Sequence, residues 1–266
     1  NNIQTVVHSF HQLAMLEQTK LHGQLTVWLK VDTGMNRLGI APDEFKQACQ
    51  RLNQIDYIAK PINLMSHFAC SDELDNPFTL EQAQRFFSLA DGLAGEKTLA
   101  NSAAILAWPE THADWIRPGL LLYGCSPIAG KSGKEYGFRQ AMTLASSVIA
   151  IKPLKQGDRV GYGSTWQAPE DTQLGVIAIG YGDGYPRHAK TGTPVLIDGK
   201  RYPIVGRVSM DMITIDLGID HQVNCGDQVI LWGEELPVEE IAQCADTISY
   251  ELLLQLTSRV NINFSA

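Results

Sequence analysis

Apolar positions in the first half of the chain follow two rhythms that take turns. Short, nearly continuous apolar runs, LTVWLKV at residues 25–31, PINLMSHF at 61–68 and KTLANS at 97–102, read as buried strands. Between them, PDEFKQACQRLNQ (42–54) and TLEQAQRFFSLADGL (79–93) carry apolar residues at helical spacing. Strand starts near Leu25, Ile62 and Thr98 recur at about 36 residues, the length of a strand, a helix and two loops, so the spacing predicts parallel strands in β/α units. A further apolar run, PGLLLYG (118–124), follows closely. Pro42 fits the first position of a helix, and Thr79 with Gln82 makes a T-x-x-Q capping box. The chain opens inside a helical pattern, VVHSFHQLAMLEQ (6–18), that shows no cap.

Beyond residue 138 the rhythm changes to alternation over short segments, as in TLASSVIAI, LGVIAIGY and TPVLIDGKRYPIVG. Asp198-Gly199 is a two-residue hairpin signal, and Gly157-Asp158 and Gly226-Asp227 mark further turns. This pattern predicts mostly antiparallel β structure, closed by a helical tail from about Pro237 through SYELLLQLTSRV. The fold class expected is thus α/β over residues 1–138 followed by an all-β part over 139–266. Four or five β/α units cannot close an eight-stranded barrel, and an open set leaves an unpaired edge, so further strands are expected upstream of Asn1.

Composition narrows the partners. The 266 residues suffice for two domains with sizeable cores. A net charge of −8 and a pI near 5.3 argue against a sequence-independent grip on nucleic acid. Five scattered cysteines, with no C-x-x-C pair or metal-ligand spacing, read as thiols of a reducing compartment, and no metal is expected. Neither a membrane-length apolar stretch nor a signal-peptide pattern is present in the sequence, which points to the cytoplasm and away from membranes. Polar residues gather where the apolar runs end: Lys30, Asp32 and Arg37, then His67, then Asn101 and Ser102, with Arg117 opening the last run. Carboxyl ends of parallel strands are where barrels and open α/β sheets place their sites.

Seven segments, LKVDTGMNRLG, MSHFA, ANSAA, WIRPGLLLYG, VGYGSTW, GYGDGYPR and VGRVSMDM, occur in this order, and together they resemble the bacterial alanine racemases over nearly the whole chain. The resemblance implies a (β/α)8 TIM-type barrel, present here in part, that holds pyridoxal 5′-phosphate. It also implies a β-rich C-terminal domain and a homodimer in which that domain completes the partner's site. The family's Schiff-base lysine, in a valine-lysine-alanine run leading into tyrosine-glycine-histidine-glycine, is matched nowhere in the 266 residues, so its motif is expected upstream and the chain alone is expected to be inactive.

Roles follow by the same resemblance. Tyr162 matches one of two bases, standing across the substrate from the cofactor lysine; Arg117 faces the cofactor's ring nitrogen, and His67 stacks beside the ring and links Arg117 to Tyr162. Ser102, Gly119 and Leu120 match groups that hold the phosphate, with Asn101 beside them. Asn101-Ser102 reads equally well as an ordinary helix cap. Arg37 and the backbone of Met210 meet the substrate carboxylate. Lys30 matches a lysine carried as a carbamate, Tyr181 a gate favouring alanine, and Asp211 a residue ordering the entrance. Where many members offer a phosphate-binding tyrosine, this chain has Ser258. Taken singly, each residue has a plainer reading: Tyr162 as a turn tyrosine, His67 as a satisfied core histidine, Arg117 as a surface partner of Asp114, Lys30 as a solvated lysine. A non-catalytic cofactor-binding or dimerisation module is the alternative function; a barrel decarboxylase fits less well, since its cysteine-bearing motif is not evident.

Overall fold

The computed structural model describes residues 3–264. The chain divides into two compact units, one running to Gly119 and taking in Pro127–Ala129, the other comprising Leu120–Ser126 and the chain from Gly130 onward.

The first unit is built on a parallel sheet of four strands in the order β1 (Thr5–Val7), β2 (Val27–Lys30), β3 (Asn63–Met65) and β4 (Lys97–Thr98). Between them run α1 (Phe10–Gln18), α2 (Phe45–Asn53) and α3 (Phe78–Ala90), and α4 (Ser102–Ala107) follows β4. Strand residues Val27, Leu29 and Leu64 are buried with Leu13 of α1, Ala48 and Leu52 of α2, and Phe86 of α3 in one apolar core. The expected β/α alternation is therefore present, with strand ends pointing the same way.

Four local expectations fail, three in this unit and one where the second begins. Val6 and Val7 do not open a helix but pair with Trp28 and Leu29 on β2, because β-branched residues beside a strand gain more from sheet pairing than from the helical period. The helix begins at Phe10 and is capped, with Ser9 accepting from the Gln12 amide at 3.3 Å. Pro42 starts a separate turn rather than α2, whose first residue is Phe45. The Thr79–Gln82 capping box is absent: Pro77 occupies the cap of α3, so Thr79 and Gln82 turn inward and are fully buried. The run Leu120–Tyr123 forms a 3-10 turn, while the position beside β4 is taken by Trp115, bridged to Thr98. A short apolar run carries no period that separates strand from turn.

The second unit centres on an antiparallel sheet of six strands. These are β5 (Leu144–Leu154), β8 (Thr172–Ile177), β9 (Pro194–Ile197), β10 (Lys200–Pro203), β11 (Ile213–Asp216) and β12 (Gln228–Trp232), in spatial order β10-β9-β12-β5-β8-β11. A small hairpin of β6 (Arg159–Val160) and β7 (Trp166–Gln167) stands apart. Asp198 (φ 47°) and Gly199 (φ 72°) form the two-residue turn joining β9 to β10, as their sequence predicts. Trp232 is fully buried, with Tyr185 stacked on it at 6.1 Å. The helical tail resolves into two pieces, α5 (Val238–Cys244) and α6 (Ser249–Leu254), separated at Asp246, whose φ of 54° no helix continues through; LTSRV lies beyond both. No helix among the described residues is long and apolar enough to cross a membrane.

Candidate active site

The C-terminal ends of β2 to β4 assemble a group of cations. Arg117 emerges after β4 with its amide donating to the Ala100 carbonyl at 2.9 Å. Its guanidinium donates to the Thr98 hydroxyl (2.6 Å), the Ser66 carbonyl (2.8 Å), the Leu99 carbonyl (3.0 Å) and His67 Nδ1 (3.2 Å). The surface pairing with Asp114 does not occur; the Asp114 carboxylate accepts from the Lys97 amide instead. No carboxylate stands within ion-pair distance of Arg117 among the described residues, and burial pulls its pKa down to about 10. A half-buried guanidinium without a counter-anion is costly, and the cost falls when an anion or another acceptor arrives.

His67 lies two residues beyond the end of β3, beside this group. A guanidinium has no acceptor, so His67 Nδ1 must accept from Arg117, which leaves the ring proton on Nε2. Burial first, then the charges of Arg117, Lys30 and Arg37, lowers the imidazole pKa to about 4, so the ring is neutral at pH 7. Lys30, the last residue of β2, is also pushed below the usual lysine range, by burial and by Arg37 and Arg117, with Asp32 acting in the opposite sense. Lys30, Arg37, His67 and Arg117 are thus within electrostatic reach of one another, as their strand-end positions suggest.

The loop carrying Arg37 is pinched at its base. Asp32 donates its amide to the Ile40 carbonyl (2.9 Å) and Ile40 returns a bond to Lys30 (2.8 Å). Inside the loop, the Asp32 carboxylate accepts from the amides of Gly34 (2.9 Å) and Asn36 (3.1 Å). Gly39 makes the pinch possible: at φ +144° its backbone lies so close that a Cβ would stand 2.5 Å from the Asp32 nitrogen. Arg37 itself is exposed.

Asn101 caps α4, accepting from the Ala104 amide (3.1 Å) and from the Ser71 hydroxyl (2.8 Å), so the plain reading of that residue holds locally. Ser102 is buried in the first turn of the same helix. The Gly119 amide donates to the Arg117 carbonyl at 3.0 Å, in a tight turn.

The second unit displays Tyr162 on the loop of the β6–β7 hairpin, 72% exposed. Gly161 (φ 70°), Gly163 (φ 75°) and Ser164 (φ 47°) all take left-handed backbone, which throws the phenol outward instead of into the small core of this hairpin. Leu120, also in this unit, is buried at the start of its 3-10 turn. Tyr181 and Met210 are knitted together, with the Tyr181 amide on the Ser209 carbonyl (3.0 Å) and the Gly182 amide on the Met210 carbonyl (2.8 Å). Among the described residues the Met210 amide has no acceptor. Arg259, absent from the sequence expectations, holds this group by pairing with Asp211 (2.6 Å) and Asp183 (3.1 Å). Thr98, Gln82 and Arg259 were all illegible as site residues, since each works through a contact across many positions; only Asp32, in D-x-G, carries a local turn signal.

A parallel β/α unit with unpaired cations and a neutral histidine at its strand ends, followed by an antiparallel β unit presenting a tyrosine, defines a two-domain enzyme of the barrel-plus-β type. The chain belongs to the alanine racemase family: the alanine racemase N-terminal domain matches residues 1–127 and the C-terminal domain matches 141–264. It is 53% identical over 264 residues to the alanine racemase of Aliivibrio salmonicida, covering 99% of this chain and 74% of that protein. It is 56% identical over 262 residues to that of Shewanella woodyi, covering 98% and 73%. Among solved structures it resembles the biosynthetic alanine racemase of Pseudomonas aeruginosa with a TM-score of 0.95 at 42% identity, covering 98% of this chain and 73% of that one. The alanine racemase of Acinetobacter baumannii gives 0.88 at 38%, covering 96% and 72%.

Proposed function

We propose that the protein interconverts L- and D-alanine with two bases on opposite faces of the substrate, supplying D-alanine for peptidoglycan. The observation that carries this reading is Arg117: a half-buried guanidinium with no carboxylate partner, bonded to a neutral His67, and with its Nε–H and one Nη1–H lacking an acceptor among the described residues. That free donor edge fits the ring nitrogen of pyridoxal 5′-phosphate, which Arg117 would hydrogen-bond without giving up a proton. Ser102, Gly119 and Leu120 would hold the phosphate, and His67 would lie beside the ring. When bound, the cofactor supplies an electron sink for the charge left as the α proton departs.

Arg37, with the open Met210 amide of the second copy in a homodimer, would bind the substrate carboxylate, Tyr181 would exclude side chains larger than methyl, and Asp211 of that second copy would order the approach. Tyr162, lent by the second copy in a homodimer, would take or return the α proton at its phenol oxygen. The other base is a lysine that we place outside these 266 residues, because no run matching its motif occurs among them. Cytoplasmic residence is part of this reading, and the five cysteines stand unpaired among the described residues.

Lys30 would act as a carbamate. Its lowered pKa favours the free amine, which adds to CO2 with loss of one proton, and the resulting anion turns repulsion from Arg37 and Arg117 into attraction. A carbonyl signal from 13C-labelled bicarbonate, lost in Lys30→Met, checks this. The experiment for the function is conversion of L-alanine by the complete protein with added pyridoxal phosphate. Arg117→Met is expected to lose cofactor absorbance and conversion together. Cofactor binding without any conversion would leave the non-catalytic module.

A further inference from the structure

Gln82 has no exposed surface, so every polar atom of its amide needs a partner within the protein. Its oxygen accepts from the Ala69 amide at 2.9 Å; its nitrogen donates to the His67 carbonyl at 3.2 Å and to the Thr33 hydroxyl at 3.3 Å. The direction of the remaining bonds is forced. Ser66 spends its single hydroxyl proton on the Val31 carbonyl (2.9 Å), so the Thr33 hydroxyl donates to Ser66 Oγ (2.9 Å) and must accept from Gln82. One line of donors therefore runs from α3 through Thr33 and Ser66 to Val31, across the ends of the two strands that carry Lys30 and His67.

The same helix face grips the Arg37 loop elsewhere: Arg85 donates to the Thr33 carbonyl at 3.2 Å, and the Phe78 ring lies where a Cβ on Gly34 would come within 2.7 Å. Ser66 in turn offers its carbonyl to Arg117. Among the described residues Gln82 is the one side chain that bonds both the backbone of His67 and the loop of Arg37. An apolar residue would fill its volume without the cost of burying an amide, so three satisfied bonds at this point serve to select one arrangement of the strand ends.

We propose that Gln82 is a positioning residue of the active site, fixing the His67 imidazole against Arg117 and the Arg37 loop against the substrate, through the His67 backbone and the Thr33–Ser66 hydroxyl pair. The proposal rests on the racemase reading for its kinetic consequence alone. It is tested in the complete holoenzyme with Gln82→Met, which keeps the volume and removes the bonds, and with Thr33→Val, which breaks only the hydroxyl link. Two readouts are taken well below the melting temperature: KM and kcat for alanine, and the ring 15N shifts of His67, assigned with His67→Gln.

In the parent the shifts should report a single tautomer with the proton on Nε2. In Gln82→Met the KM should rise at least about tenfold, since small misplacements of a binding group carry penalties of that order. Its His67 shifts should move toward a tautomer average. Thr33→Val should move KM the same way by less, and the double variant should be no worse than Gln82→Met. A lowered melting temperature with unchanged KM and unchanged ring shifts would make Gln82 structural only and overturn the proposal. Should Gln82→Met fail to fold, Thr33→Val decides by the same criteria. If the parent does not convert alanine, the racemase reading fails, while the ring shifts still judge the hold of Gln82 on His67.

Discussion

Gly39 offers a test in which the cost can be assembled from geometry. A Cβ there would lie 2.5 Å from the Asp32 nitrogen, 2.8 Å from the Val31 carbonyl carbon and 2.9 Å from the Asp32 Cα. All three are backbone atoms of the strand end, and they cannot retreat without breaking the Asp32–Ile40 and Ile40–Lys30 hydrogen bonds of 2.9 and 2.8 Å. Gly39→Ala should therefore cost about 1–3 kcal/mol for the left-handed backbone and a further ~1–3 kcal/mol for the overlap. Gly92 separates the two: it has φ +71° but nothing within 4 Å of its Cβ position, so Gly92→Ala carries only the conformational cost, about 1–2 kcal/mol. Urea unfolding followed by tryptophan fluorescence reports on both units, the first through Trp28 and Trp115, which meet there edge to face at 6.5 Å, and the second through Trp166 and Trp232. Gly39→Ala should lie below Gly92→Ala in stability, and its KM for alanine should rise as the Arg37 loop is displaced. Equal stability of the two variants would refute the steric argument.

Tyr185 is 1% exposed and its hydroxyl has no hydrogen-bond partner among the described residues, so Tyr185→Phe should be neutral or raise stability by up to about 1–2 kcal/mol; a lowered melting temperature would show a hidden partner. Tyr162→Phe in the complete enzyme should slow α-deuterium exchange in D2O about 100-fold or more from one enantiomer and far less from the other, and equal losses would count against two bases. His67 holds its pKa near 4 against an ordinary 6.5, so between those values the unfolded chain binds a proton that the folded one refuses. Its contribution to stability is whole above pH 6.5 and lost as pH falls toward 4, and His67→Gln should flatten the change in melting temperature across that window. Arg201 and Glu240 form an exposed pair, and Arg201→Ala should cost no more than about 1 kcal/mol by thermal melting.

Much of the plan was legible from the residues. Periodicity located β2, β3 and β4 and the change to antiparallel strands, because a buried strand must be apolar and a half-buried one must alternate. Asp198-Gly199 announced its hairpin because so few residues accept left-handed backbone. The clustering of Lys30, Arg37, His67 and Arg117 could be anticipated, since parallel strands bring their carboxyl ends to one edge. Local signals misled where a distant contact outweighed them: Thr79 and Gln82 read as a cap but are drawn inward, and Val6-Val7 read as helix but find β2. The bond between Arg117 and His67 was implied by the family resemblance while spacing alone favoured Asp114, and the tertiary structure shows the former; only that structure could decide that Gln82 joins two loops and that Arg259 anchors Asp211. Hydrophobic pattern and turn chemistry are properties of neighbouring residues, whereas a hydrogen bond between groups fifteen to fifty positions apart exists only once the chain has packed them together.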